Sequence, residues 1–403
     1  MKIINLPQPF KDALPILEKL RDAGFEAYFV GGSVRDTLLN LPIHDVDIAT
    51  SAYPEEIKNL FSKTVDTGIE HGTVMVLDHG TGYEITTFRT ESTYQDYRRP
   101  DKVQFVRSLD EDLKRRDLTI NALALKTNGE IIDLFGGLKD LDKHLLRAVG
   151  VANERFHEDA LRMMRTVRFA SQLDFKIDNE TLTAISQNAA LLSKISVERI
   201  RVEWIKLLIG KNPRAGLEDF LKTKLYMYCP LFELKEAGLE KIKTIPNLKL
   251  DNEEQCWTLI ATCFELTAEE AGQLVHAWKC SKELKMNVTK AKKAVEAMLA
   301  NELTPYIQYL TGRDMLEVAC RVVQLINITD YTSMSVMLAY EGLPIKSRKD
   351  LVVDGNVLRQ FLNIEPGPQL GKMLIQLELA VVNRKVRNEK LALLEYAQKL
   401  IVK

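Results

Sequence analysis

Apolar positions are spaced in two different ways along this 403-residue chain. Up to about residue 150, short apolar runs alternate with short periodic stretches. Tyr28, Phe29 and Val30 read as a buried strand, Gly31 and Gly32 as the turn leaving it, and Val34 to Leu41 as a short helix. The run Asp45-Val46-Asp47 predicts a second strand. Residues two apart in a strand share a face, so Val46 and Ile48 point to the core while Asp45 and Asp47 point away together. A helix over Pro54 to Phe61 follows, then alternating strands over 73–80 and 83–90. From Asn153 onward the strand patterns stop and apolar residues recur at helical spacing up to Lys403. Turn signals interrupt them at Asn212-Pro213, Ile245 to Asn247, Gly342 to Pro344 and Glu365 to Pro368. The pattern predicts an α+β chain, with an α/β head carrying a small mixed sheet and an all-helical remainder.

Three stretches add detail. Arg115 to Leu125 (RRDLTINALAL) reads as a helix with charges in its first turn and an apolar face behind them. Ile131 to Leu141 (IIDLFGGLKDL) reads as a strand and glycine turn joining head to helices. Glu154 to Ala170 (ERFHEDALRMMRTVRFA) projects as one amphipathic helix. Ala160, Met163, Met164, Val167 and Ala170 lie on one side of it, and Glu158, Asp159, Arg162, Arg165 and Arg168 on the other.

Composition narrows the class. With 46% apolar and 28% charged residues and a formal net charge of −1, the chain is ordinary for a folded protein and does not coat nucleic acid nonspecifically. A nucleic-acid partner must be held by a localised basic surface. The five cysteines form no Cys-x-x-Cys pair and read as reduced, mostly buried thiols rather than a zinc set. Met1 to Phe10 lacks the pattern of a signal peptide, and no stretch approaches 18 uninterrupted apolar residues. A cytoplasmic protein that does not enter a membrane is expected. The sequence leaves the oligomeric state open, a homodimer included.

The candidate chemistry starts at the glycine pair. Gly31 and Gly32 let backbone N–H groups approach phosphate oxygens, and Arg35 adds a charge-assisted contact. Asp45 and Asp47, side by side, suit Mg²⁺, and two such ions would clamp an in-line phosphoryl transfer. No Gly-Lys-Ser/Thr follows, so this is not a Walker loop. Glu84 sits on the strand over 83–90. If that strand neighbours the Asp-Val-Asp strand, its carboxylate can join the pair as general base for an attacking 3′-hydroxyl. Arg116 offers a guanidinium to triphosphate, while Asp117 and Asn121 can hydrogen-bond ribose hydroxyls.

The charged arc of the 154–170 helix has two readings. Taken alone it is a salt-bridged solvated face. The chemical alternative is a base reader. Cytosine and adenine each show a ring-nitrogen acceptor beside an amine donor, and guanine and uracil show the reverse. One arginine beside one aspartate, Arg162 with Asp159 three residues apart on the helix, would therefore accept CTP and ATP and reject GTP and UTP.

The run GGSVRD followed by DVDIAT resembles the first signature of the nucleotidyltransferase superfamily related to DNA polymerase beta, in its class II tRNA nucleotidyltransferase and bacterial poly(A) polymerase branch. The stretch from Glu158 to Arg162 resembles the EDxxR signature of class II CCA-adding enzymes. This resemblance implies base selection by Asp159 and Arg162, with Glu158 positioning them and Arg165 and Arg168 counted with the nucleotide site. It also implies an acidic role at Glu84, a buttressing role for the helix over Ile195 to Leu208, and a complete flexible loop between Glu91 and Asp112. The tail from Asp350 to Val382, with its Pro-Gly-Pro turn, is similar to the part that grips tRNA, where Lys346, Arg348, Lys349, Lys372, Arg384, Lys385 and Arg387 are available to phosphate.

The resemblance is strongest over Tyr28 to Val167 and Asp350 to Leu394, and weakest over Asn212 to Tyr340. It implies a catalytic head over 1–150, a base-recognising neck over 151–212, a helical body over 213–345 and a tRNA-binding tail over 346–403. The implied activity is template-free addition of C, C and A to the 3′ end of tRNA from CTP and ATP, with Mg²⁺ and release of pyrophosphate. Poly(A) polymerase and enzymes adding only CC or only A are the alternatives within the class. A catalytically idle RNA-binding protein on the same scaffold is the alternative outside it.

Overall fold

Strand β1 (Ala27–Val30) lies near the middle of a seven-stranded mixed sheet that organises the first 133 residues. The computed structural model describes residues 1–91, 94–95, 99–100, 103–326, 331–363, 365 and 367–401. They fall into two units, 1–234 and 235–403. In the first, helix α1 (Gln8–Asp22) starts on a proline at its N-cap and buries Phe10, Ala13, Ile16, Leu17 and Leu20, one helical stripe. Phe10 packs on Phe29 of β1 with ring centroids 4.7 Å apart. The glycine turn leads into α2 (Gly32–Leu38), two residues earlier than the spacing predicts.

Strand β2 (Asp47–Thr50) pairs antiparallel with β1. Only Asp47 of the Asp-Val-Asp run belongs to it, and Asp45 stands in the loop before. Val46 and Ile48 are buried and both aspartates exposed, as the alternation requires. Helix α3 (Pro54–Leu60) leads to β3 (Thr64–Gly68), β4 (Thr73–Asp78) and β5 (Thr81–Thr87). Strand β5 turns back along β4 and pairs parallel with β2. Beyond it β6 (Arg89–Glu91), the short pair β7 (Tyr94–Gln95) and β8 (Arg99–Pro100), and β9 (Val103–Phe105) form the stretch expected as a flexible loop. Strand β6 pairs with β9. Much of that loop, including residues 92–93, 96–98 and 101–102, lies outside the described residues.

Helix α4 (Leu109–Lys114) ends just before the stretch expected to be a helix over 115–125, and there the expectation fails. Instead of continuing, the chain makes a single 3-10 turn at Thr119–Asn121 and enters β10 (Leu123–Leu125), which pairs with both β1 and β11 (Ile131–Asp133). All three residues of β10 are buried. A strand covered on both faces shows an unbroken apolar run, without the alternation that separates strand from helix.

The chain continues from β11 through α5 (Gly137–Asp142) and β12 (Leu145–Leu146) to α6 (Ala152–Glu158) and α7 (Leu161–Leu173). The single helix expected over 154–170 is thus two. Asp159 takes an extended conformation (φ −135°, ψ 105°), and its carboxylate accepts the Leu161 N–H at 3.0 Å. An aspartate bonding to its neighbours' backbone competes with the helix at that point. The apolar face keeps its place, with Ala160, Met163, Met164, Val167 and Ala170 fully buried. The opposite arc is not a solvated face, because Arg162 and Arg168 are only 7% and 6% exposed. Strand β13 (Lys176–Ile177) pairs with β12, and α8 (Asn179–Asn188), α9 (Val197–Leu208) and α10 (Pro213–Lys222) complete the unit. Trp204 of α9 packs on Phe220 and Phe232, at 4.8 and 5.4 Å between centroids.

The second unit is helical: α11 (Glu236–Thr244), α12 (Glu253–Cys263), α13 (Ala268–Ala277), α14 (Lys282–Leu299), α15 (Pro305–Thr311), α16 (Arg313–Leu325), α17 (Ser333–Glu341), α18 (Gly355–Leu362), α19 (Pro368–Val382) and α20 (Lys390–Ile401). Asn252, Thr267, Ser281, Thr304 and Asp354 cap their helices through side-chain oxygens. Helix α14 packs against α12, α13, α15 and α16. Of the tail's basic residues, Lys346, Arg348 and Arg387 pair with Glu341, Glu378 and Glu389, while Lys349, Lys372 and Lys385 are exposed. Pro366 of the Pro-Gly-Pro turn lies outside the described residues. Among the described residues no helix is long and apolar enough to cross a membrane.

Candidate active site

Gly31 opens the site. Its backbone lies at φ 73° and ψ −136°, a conformation that disfavours any side chain. A Cβ there would stand 3.1 Å from Arg116 Nη1 and 3.6 Å from Asp47 Oδ2. The turn therefore brings the triphosphate candidate and one metal-ligand candidate together over a bare backbone.

Glu84 joins Asp47 as the strand geometry requires. Strands β2 and β5 run parallel with Ile48 opposite Ile85, and both isoleucines are fully buried. Asp47 and Glu84, one step earlier on each strand, are exposed on the other face. Removal from water in the cleft raises the Asp47 carboxyl above its ordinary value; Arg116 opposes this, and Glu84 and Asp45 add to it. The carboxylates of Asp45, Asp47 and Glu84 make no hydrogen bond or ion pair among the described residues. Oxygens that repel one another and make no hydrogen bond among the described residues, with only the Arg116 charge set against them, fit a hard divalent cation. Among the described residues no group of three or more His, Cys, Asp or Glu stands ready to enclose a metal.

Asp47 also forms the wall between two recesses of about 420 Å³ each. One is acidic, with Asp12, Asp45 and Glu84. The other is lined by all the predicted nucleotide-binding residues except Glu158, together with Arg115 and Phe169. Glu158 stands behind it, holding Arg162 Nη1 at 2.7 Å.

The arginine-rich recess is tied together by hydrogen bonds. Arg35 donates to Asp36 at 2.8 Å and to the Asn121 side-chain oxygen at 2.7 Å. The Asn121 amide donates to Asp117 at 3.1 Å, and Asp117 accepts Arg165 at 2.7 Å. Arg168 donates to Glu203 at 2.8 Å. Burial alone would raise the Asp117 carboxyl, but Arg165 and the Asn121 amide outweigh it and hold it well below the usual carboxylate range. Burial lowers Arg168, against the attraction of Glu203. Asp112, only 1% exposed, accepts Arg115 at 2.7 Å and Arg116 at 3.2 Å. Among the described residues the Arg116 Nε–H is buried without a hydrogen-bond partner.

The pair expected to read the base is placed differently from expectation. Asp159 and Arg162 do not lie one turn apart on a continuous helix; they stand on either side of the break between α6 and α7. Asp159 pairs with Arg199 of α9 at 2.7 Å. Arg162 pairs with Glu158 and donates to the Arg115 carbonyl at 2.8 Å. Each is held by its own partner, and both face the recess. Four supporting residues escaped the sequence reading. Asp112 had a signal, an acid three and four residues before two arginines. Arg199 and Glu203 had only their place in the buttressing helix, and Phe169 had none.

The class comes first from the domain matches. Residues 27–147 match the family described as the poly A polymerase head domain, 174–234 an RNA- and SrmB-binding site of polymerase A, and 248–397 tRNA nucleotidyltransferase domain 2. These define an enzyme of the nucleotidyltransferase class, with a mixed-sheet head followed by helices. The chain is 57% identical to the CCA-adding enzyme of Ligilactobacillus salivarius, covering 100% of this chain and 99% of that one. It is 56% identical to the CCA-adding enzyme of Limosilactobacillus reuteri (strain DSM 20016), over 99% of both. The crystal structure of the Bacillus stearothermophilus CCA-adding enzyme in complex with CTP is similar at a TM-score of 0.88 and 37% identity, covering 98% of each chain. The chain belongs to the family of CCA-adding enzymes.

Proposed function

We propose that this enzyme adds C, C and A in turn to the 3′ end of tRNA from CTP and ATP, without a nucleic-acid template, releasing pyrophosphate at each step. The observation that carries this reading is the position of Asp47 between an acidic recess and an arginine-rich one. A triphosphate entering the second lays its phosphates toward Gly31, Gly32, Arg35 and Arg116, which line it. Asp117 and Asn121 take the ribose hydroxyls. Asp159 and Arg162 present an acceptor and a donor to the Watson–Crick edge, the pattern that suits cytosine and adenine alike. The tRNA 3′-hydroxyl approaches from the acidic side, where Glu84 accepts its proton. Mg²⁺ held by Asp45 and Asp47, as two ions, would supply charge stabilisation to the attacking and leaving oxygens.

The segments 1–150, 151–212, 213–345 and 346–403 serve as catalytic head, base-reading neck, body and tRNA-binding tail. The exposed Lys349, Lys372 and Lys385 offer contacts to phosphate. The five free thiols suit the reducing cytoplasm.

The test is extension of a tRNA lacking its terminal triplet, with Mg²⁺ and CTP, ATP or both, and products sized to the nucleotide. Extension by two with CTP alone and by three only with both supports the reading. A single adenylate on a tRNA already ending in CC, without use of CTP, would show an A-adding enzyme. A long adenylate ladder on any RNA would show a poly(A) polymerase.

A further inference from the structure

Phe169 of α7 is only 4% exposed, and three guanidinium groups face its ring. Arg168 lies 3.5 Å from the ring centroid, Arg35 5.0 Å and Arg165 5.7 Å. Energetically significant cation–π contacts occur roughly once per 70–80 residues, so three on a single ring mark a built arrangement. The three cations come from two elements. Arg35 stands on α2, the helix that continues the Gly31-Gly32 turn; Arg165 and Arg168 stand on α7, which carries Arg162. Their first carboxylate partners are Asp36, Asp117 and Glu203, on three different segments. The ring is what all three guanidiniums share. Its negative face offsets the repulsion that three like charges would otherwise feel at this spacing.

We propose that Phe169 is a positioning residue for nucleotide binding: through the face of its ring it fixes the phosphate-gripping helix α2 relative to the base-reading helix α7. The inference rests on the nucleotide-site reading given above. A role of simple packing requires only the volume of the ring. The positioning role also requires its electron density, and the two separate on that point. Because the ring acts on the spacing between phosphate and base elements, CTP and ATP depend on it equally.

The experiment measures dissociation constants for CTP and ATP by calorimetry on the full chain carrying Phe169→Leu, Phe169→Tyr or pentafluorophenylalanine at 169, beside thermal melts. The fluorinated ring keeps the shape and removes the negative face. It is expected to weaken both nucleotides roughly fivefold to twentyfold, with Phe169→Leu doing the same and Phe169→Tyr staying within about twofold of the unsubstituted chain. Steady-state KM should rise in parallel while kcat stays within about twofold. Should Phe169→Leu fail to fold, the fluorinated chain still decides. Unchanged nucleotide binding in that chain overturns the proposal, and so does weakening confined to one nucleotide. Extension of tRNA by the unsubstituted chain tests the functional reading separately, so the two can fail independently.

Discussion

Asp159 serves two partners at once. One carboxylate oxygen closes the backbone at the start of α7, and the other pairs with Arg199, which stops the side chain from rotating out of the recess. Removing it should relax the choice between nucleotides before it harms the metal carboxylates. Asp159→Ala is expected to raise misincorporation of UTP and GTP on a tRNA ending before its triplet, with melting lowered only modestly; unchanged selectivity would take the residue out of the reader. Arg199→Ala is expected to act in the same direction with a smaller effect, because it loosens the aspartate without removing it. A second carboxylate affects stability rather than selectivity. Burial raises Asp219 of α10 to about 6, with Glu218 adding to the shift and Lys222 opposing it. A carboxyl with a folded value above its unfolded value of about 4 favours the fold when protonated, so its contribution is full below pH 4 and declines as pH rises through 6. Asp219→Asn is therefore expected to raise stability at pH 7 by roughly 1–2 kcal/mol and to flatten the slope between pH 4 and 6. Denaturant unfolding across that range is the measurement.

Among the elements, the glycine turn is the most constrained. Gly31→Ala would force a Cβ into a backbone conformation nearly reserved for glycine and against the Arg116 guanidinium. We expect a loss of about 1–3 kcal/mol in stability and at least tenfold weaker triphosphate binding, read by melting and by pyrophosphate competition. This turn was plain in the sequence because glycine pairs announce positive φ; the alternation from Asp45 to Ile48 gave the faces of these residues, but the strand itself starts only at Asp47. The place of Glu84 beside Asp47 was legible only as a condition, because whether β5 lay beside β2 depended on a parallel pairing that no local pattern reports. The two errors have separate causes. Leu123 to Leu125 are apolar on every side because both faces of β10 are covered, so helix and strand looked alike. The break at Asp159 was hidden because the apolar positions on either side stay in helical phase. Phe169 is the instructive omission: an aromatic in an arginine-rich helix reads as core, and only the distances to three guanidiniums give it another meaning.

At the scale of the molecule the chain divides at residue 234, and the lining of the proposed nucleotide site belongs wholly to the first unit. A fragment of residues 1–234 is expected to bind CTP within a fewfold of the full chain and to lose most of its affinity for tRNA. Calorimetry with CTP and filter binding with tRNA over a salt series would show it, and the full chain should display the steeper salt dependence. Nucleotide affinity that disappears with the second unit would refute this division of labour. The sheet and its clasps also impose an order in time. Asp45 and Asp47 leave the ribosome early, and Asp47 has its partner strand β1 already made, but Arg35 waits 86 residues for Asn121, Asp117 a further 48 for Arg165, and Arg168 another 35 for Glu203. During synthesis, which proceeds from the N-terminus, the carboxylates that would hold metal emerge long before the residues proposed to choose what is joined, and on that reading selectivity is the last property the growing first unit acquires.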